Sequence, residues 1–407
     1  MTEAANERLV FAATPVAERG PEHVADAVSY DAILLVSFGG PENPNDVLPF
    51  LRNVTRGRGV PEARLEEVAH HYRAFGGVSP INAQNRELKA AMERELAARG
   101  IDLPVIWGNR NWSPYISEVL SEARVAGFSK LIAIATSAYS SYSSCRQYRE
   151  DCATALGETG LANVIEIDKV RQFFDHPGFV TPFVTGVASA LRTISDAIPD
   201  IDLAGEVEVL FSTHSIPSAD AAASGPPSRE FGEGGAYEAQ HRAVAEVVVA
   251  QALRELTAVH NEQVPRAPHR LSWQLVYQSR SGPPAVPWLE PDINDVIAQL
   301  PRRGIRAVII VPIGFVSDHL EVKWDLDIEA RETAAQHGLA VERVSTPGVH
   351  PAFVSGLVDL VLERRDGVPV SNRPALTSLG PWYDVCRPGC CGNARAGVKS
   401  AIAGLES

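Results

Sequence analysis

The sequence predicts an α/β protein of two similar lobes, each a doubly wound sheet of parallel strands. Three observations carry that reading. Short runs rich in β-branched residues and apolar on both faces recur along the chain, as strands buried between helical layers do. Segments with helical periodicity alternate with them. The cadence then restarts near residue 206 after a long helical stretch, and 407 residues at 45% hydrophobic content suffice to bury two lobes.

Residues 1–29, rich in Ala, Glu and Pro without periodicity, are expected to form a poorly ordered extension. The first lobe, 30–190, draws its strands from 31–38 (DAILLVSF), 104–110 (PVIWGNR), 130–138 (KLIAIATSA) and 163–170 (NVIEIDKV). Its clearest helix runs from Asn82 to Arg99: Asn82 caps it, Leu88, Met92 and Leu96 fall at i, i+4 and i+8, and Gly100 ends it. A helix from His176 to Ile194 joins the lobes. The second lobe, 191–365, has strands at 206–213, 271–279, 307–315 and 341–346, with amphipathic helices after Tyr237, Asp292, His319 and His350. Between its first strand and first helix, 217–236 is rich in Pro, Ser, Ala and Gly and is expected to be a mobile loop; 366–407 is a loop-like tail.

A net charge of -13 argues against nucleic acid or an acidic membrane surface as partner and favours a small-molecule substrate. No apolar run approaches the roughly 18 to 20 residues of a membrane span, and the first 30 residues are interrupted by Glu, Arg, Pro and Gly, so a cytoplasmic protein is expected. Three of the five cysteines fall in the last 22 residues, a distribution that suits a metal site better than a disulfide framework.

Ligands of open α/β sheets bind beyond the carboxyl ends of the strands. In the first lobe the loops to inspect are Ser37 to Pro41 and Ala138 to Ser144. In the second they are Phe211 to Pro217, with His214, and Gly314 to Glu321, which ends on a carboxylate. A histidine just past a parallel strand can serve as a neutral ligand or a general base, and an opposed carboxylate completes a pair that takes protons or binds iron. The alternative is a hydrogen-bonded core histidine and an N-terminal helix charge. Glu321, Asp325 and Glu329 recur at i, i+4 and i+8, so a helix would line them on one face where like charges repel. Such a ladder suggests a conduit for protons or hydrated cations, although a solvated acidic face reads the same way and Asp318, Lys323 and Asp327 dilute the signal.

Six blocks, LLVSFGGPE (34–42), YRAFGGVSPIN (72–82), GNRNWSP (108–114), FSTHSIP (211–217), YQSRSGPPAVPWLEPD (277–292) and PIGFVSDHLEVKWDLDIE (312–329), resemble the ferrochelatases in that family's order. The resemblance runs from about Asp31 to about Pro351. It implies two Rossmann-like lobes of the class II chelatase type with a porphyrin cleft between them, and insertion of ferrous iron into the porphyrin. His214 then matches the catalytic histidine and Glu321 the catalytic glutamate, together handling the iron, while Asp325 and Glu329 match an acidic line leading from the metal. Ser79 and Tyr148 match porphyrin-binding positions, and Arg56, with Arg58, falls where relatives place basic residues near propionates. Phe38 stands where some bacterial relatives carry a metal-facing tyrosine, so that position offers no axial oxygen.

On the same resemblance, Cys145, Cys386, Cys390 and Cys391 hold a 2Fe-2S cluster, with Cys152 as the spare that could replace Cys145 and a structural zinc as rival. No nucleotide cofactor is expected, since no G-x-G-x-x-G turn follows the first strand. Coproporphyrin III is preferred over protoporphyrin because 44–75 carries arginines in place of an apolar membrane-docking lip. A monomer is expected. The rival readings are a non-enzymatic haem or metal carrier, and an iron–sulfur redox sensor that has kept a chelatase body.

Overall fold

The computed structural model describes residues 23–57, 59–258, 270–283, 285–394, 397 and 399–405; Arg58 and most of the 1–29 extension lie outside them. Two four-stranded parallel sheets are present, ordered β2-β1-β3-β4 and β6-β5-β7-β8. The first comprises β1 (Ala32–Ser37), β2 (Val105–Asn109), β3 (Lys130–Ala135) and β4 (Glu166–Lys169); the second comprises β5 (Val207–His214), β6 (Ser272–Gln278), β7 (Ala307–Val311) and β8 (Ala340–Arg343). Each lobe repeats the other's order, with the first strand central, as the restarting cadence predicts. Registers are regular: Ile33 pairs with Val105 and Ile132, and Val209 with Trp273 and Ile309.

Side chains alternate across each sheet. In β1, Ala32, Leu34 and Val36 pack with helices α4 (Ile116–Val125) and α5 (Gln147–Glu158), whereas Ile33 and Leu35 face α3 (Ile81–Ala98) and α6 (Pro177–Ala197). In the second sheet Leu210, Val308 and Ile310 pack with α9 (Ile293–Gln299) and α11 (Ala330–Gln336). Val207, Val209 and Phe211 face the opposite way, into the same core that receives Ile33 and Leu35. Helices α3, α6, α8 (Gly235–Ala258) and α12 (Pro351–Arg365) fill that common layer. The expected division at 190/191 therefore falls inside α6.

Several local expectations are corrected. Asn82 does not cap α3; its amide donates to the Gly40 carbonyl at 3.0 Å and accepts from Asn109 at 3.3 Å, tying the β1 and β2 loops to the helix. The strand expected over 307–315 stops at Val311, because Pro312 has no N–H for the ladder. The 217–236 segment forms α7 (Ser218–Ala222) and then a turn pinned to the tail, where Gly225 N–H donates to Cys391 Sγ at 3.2 Å. The carboxylate ladder does not ride one α-helix: α10 (Leu320–Val322) opens into a π-helical segment, Lys323–Glu329, before α11. The remaining helices, α1 (Val47–Val54) and α2 (Glu62–Ala74), form a hairpin of the first lobe that packs on Leu320 of the second. The described residues of the tail are irregular apart from a short turn at Val370–Asn372 and are held by the buried pair Arg373–Asp384, 2.7 Å apart.

Candidate active site

His214 is the last residue of β5 and half-buried. Its Nδ1 is 2.5 Å from the Ser215 carbonyl oxygen, which can only accept, so Nδ1 carries a proton, and in the neutral form of the ring the lone pair lies on Nε2. Nε2 points to Glu321, whose Oε2 lies 3.7 Å away. The neighbouring loop is brought over β5 by a close approach: a Cβ on Gly314 would lie 2.0 Å from Thr213 Oγ1, so only glycine lets the chain leaving β7 cross there. His319 then caps α10, its Nδ1 accepting from Val322 N–H at 3.4 Å, which places Glu321 in the first turn.

The acidic line continues from Glu321. Asp325 accepts from Gln278 Nε2 at 3.2 Å and from the Ser279 hydroxyl; Ser279 takes a left-handed φ of 60° to reach it. Burial pushes Asp325 up to about 7 against the lowering effect of the Ser279 hydrogen bond, and Glu321 and Glu329 raise it further. Glu329 accepts from Trp324 Nε1 at 2.8 Å, and Trp324 stacks at 4.1 Å on His71 of α2, so the line ends at the other lobe. Asp318 and Asp327 stand apart from it, because Arg343 pairs with both at 2.8 Å. Gln84 of α3 donates to the Asp318 carbonyl at 3.1 Å and accepts from its N–H at 3.0 Å, clamping the lobes beside the site.

The first-lobe candidates are more dispersed. Phe38 follows β1 and is 37% exposed, edge-on to Phe50. Arg110, which sequence reasoning passed over, has its guanidinium 5.7 Å from the Phe38 ring and 4.6 Å from that of Tyr148, and pairs with Asp151. Tyr148 is thus buried beneath Arg110 in the lobe's core, and only the position of Arg110 inside the GNRNWSP block hinted at its place. Ser79 is also buried, in a turn so tight that a Cβ on Gly40 would lie 2.7 Å from its own Cβ. Arg56 is exposed just after α1. The rim made by α1 and α2 carries exposed ion pairs, Arg52–Glu62, Arg64–Glu67 and Arg73–Glu66, with no apolar lip among its described residues.

Cys145, Cys386, Cys390 and Cys391 form one buried cluster, with Cys390 and Cys391 sulfurs 3.9 Å apart, while Cys152 lies separately in the first lobe's outer core. Thiols of Cys145 and Cys390 donate to Cys386 and hold it well below its ordinary value, with Arg149 and Lys169 adding to the effect. Among the described residues no three His, Cys, Asp or Glu side chains are arranged around a metal ion. As a donor set the four cysteines nevertheless fit a cluster of two irons: four sulfurs shielded from water, a backbone N–H on one of them, and two cations to offset thiolate charge.

The Ferrochelatase family model matches residues 30–365. The Coproporphyrin III ferrochelatase of Leifsonia xyli subsp. xyli is 64% identical over 401 residues, covering 97% of this chain and 100% of that protein. Those of Tropheryma whipplei and Streptomyces griseus are 55% and 50% identical, covering 93% and 94% of this chain and 93% and 98% of theirs. No described helix is long and apolar enough to cross a membrane.

Proposed function

The chain belongs to the ferrochelatase family, and from that premise we propose that it inserts ferrous iron into coproporphyrin III, acting as a cytoplasmic monomer. The observation that carries the mechanism is the His214 ring, whose Nδ1 hydrogen bond to Ser215 leaves Nε2 free to accept a proton 3.7 Å from Glu321. Insertion replaces two pyrrole N–H protons by one divalent iron held on four nitrogens. A distorted macrocycle turns those nitrogens toward His214, which takes the protons in succession, and Glu321 assists by passing protons or by holding the incoming iron. Asp325, poised near neutrality, and Glu329 carry protons or the hydrated cation between Glu321 and the lobe boundary at His71.

The substrate choice is supported by the names of the relatives and by the charged α1–α2 rim, which suits a water-soluble tetracarboxylate better than a membrane-delivered porphyrin. Arg110, beside the Phe38 and Tyr148 rings, and the exposed Arg56 are the cations proposed for its propionates, with Ser79, Tyr148 and Phe38 as further porphyrin contacts. Anaerobic mixing of ferrous iron with coproporphyrin III or protoporphyrin, followed by absorbance, tests the reading. Rapid metallation of coproporphyrin that His214→Ala abolishes is expected. Preference for protoporphyrin overturns the substrate, and tight porphyrin binding without metallation turns the protein into a carrier.

Cys145, Cys386, Cys390 and Cys391 would hold a 2Fe-2S cluster, which supplies a one-electron couple when bound; the iron insertion above needs no redox step. Visible absorbance and electron paramagnetic resonance of anaerobically purified protein should show the cluster, lost in Cys386→Ser and kept in Cys152→Ser. Retention in Cys386→Ser overturns the ligand set.

A further inference from the structure

The backbone of His214 is held as closely as its ring. Tyr237, in the first turn of α8, donates its hydroxyl to the His214 carbonyl oxygen at 2.9 Å and lies 2.8 Å from Thr213 Oγ1. Thr213 Oγ1 is 3.0 Å from His241 Nε2, one turn along α8, and His241 Nδ1 donates to the Tyr237 carbonyl at 2.7 Å. Burial pushes His241 down to about 3, so its ring is neutral and Nε2 accepts from the Thr213 hydroxyl. The one Tyr237 proton then has two acceptors, Thr213 Oγ1 and the His214 carbonyl. On the other edge of the same peptide unit, Ser215 N–H donates to the Gln278 carbonyl at 2.8 Å. Tyr237 and Gln278 thus fix the plane of the peptide that leads into Ser215, and Ser215 supplies the carbonyl that sets the His214 tautomer.

The same turn of α8 is tied to the cysteine cluster. Tyr237 N–H donates to Ser224 Oγ at 2.8 Å, and Ala236 N–H to the Ser224 carbonyl at 3.2 Å. The next residue, Gly225, has a φ of 88° that suits glycine; its N–H donates to Cys391 Sγ at 3.2 Å and its carbonyl accepts from Cys391 N–H at 3.1 Å. A second tie comes from the first lobe: Ser140 N–H donates to Gln240 Oε1 at 2.8 Å and Gln240 Nε2 donates to Ser140 Oγ at 3.0 Å, five residues ahead of Cys145. Residues 237–241 are where both ties meet β5.

We propose that Tyr237 is a positioning residue for His214, and that the Ser224–Gly225 turn makes its placement depend on Cys391. The proposal rests on reading His214 as the proton acceptor. Without the hydroxyl, the His214 carbonyl loses a buried donor, the peptide into Ser215 can rotate, and the bond that keeps the proton on Nδ1 weakens. Tyr237→Phe in the full chain is expected to lower kcat for coproporphyrin metallation about tenfold with KM nearly unchanged. Nitrogen NMR of the His214 ring should show the Nε2–H tautomer rising in the same variant. Cys391→Ser should shift that ring signal in the same direction, and should add nothing to it once Tyr237 is Phe. A wild-type kcat and an unchanged tautomer in Tyr237→Phe overturn the positioning role, and additive ring shifts overturn the dependence on Cys391. Failure of the wild-type protein to metallate any porphyrin would sink the proposed function instead, while the ring signal still decides this inference.

Discussion

Asp325 accepts hydrogen bonds from Gln278 and Ser279 that favour its charged form, yet burial and two neighbouring carboxylates outweigh them and bring its pKa to about 7. A group at that value can take and return a proton near neutral pH, which is what a relay beside His214 requires. The same shift has a stability consequence. The folded state binds the Asp325 proton more tightly than the unfolded chain, where the value is near 3.9, so this contribution is complete below about pH 4 and is lost as pH climbs through about 7. The loss amounts to roughly 4 kcal/mol at most, at about 1.4 kcal/mol per unit. Asp325→Asn has nothing to titrate there. Its stability relative to wild type is therefore expected to rise between pH 5 and pH 8, as read from urea midpoints at both. A constant difference would mean that Asp325 ionises normally.

The elements around the site differ in how far the sequence disclosed them. The placement of His214 and Glu321 was legible because a parallel strand followed by a polar loop sets side chains at the carboxyl edge of the sheet, and both lie there, whereas their roles came only from the family resemblance. The ladder was legible as composition and misjudged as geometry: nothing local in KWDLDIE signals the i→i+5 bonding of Lys323–Glu329. Asp318 and Asp327 diluted the ladder on paper because their neutraliser, Arg343, lies in another element, at the end of β8. The same limit hid Gln84 and Tyr237. A glutamine on a helix face or a tyrosine in a first turn carries no mark of the Asp318 backbone or the His214 carbonyl, which only the fold brings near. Asn82 is the converse, a good cap by residue type drawn away by the Gly40 carbonyl.

At the scale of the whole molecule, the two-lobe description hides a shared interior. The inner faces of both sheets, with α3, α6, α8 and α12 between them, form a single hydrophobic core, and α6 crosses the boundary that the repeated sequence cadence suggested. Phe179 of α6 stands near its centre, 1% exposed, with its ring against Tyr139, Phe173, Phe183 and Phe353. Two lobes with independent cores would unfold in separate steps, and a cavity in one would leave the other's transition in place. A common core ties the steps together. Phe179→Ala is expected to cost about 3–5 kcal/mol and to move one denaturant transition as a whole, seen alike by circular dichroism and by fluorescence of Trp107 in the first sheet and Trp273 in the second. Two transitions of which only one moved would mean that the lobes fold apart. The rigid seating of α8 between β5 and the cysteine cluster would then need another source, because that helix is buried in the same core.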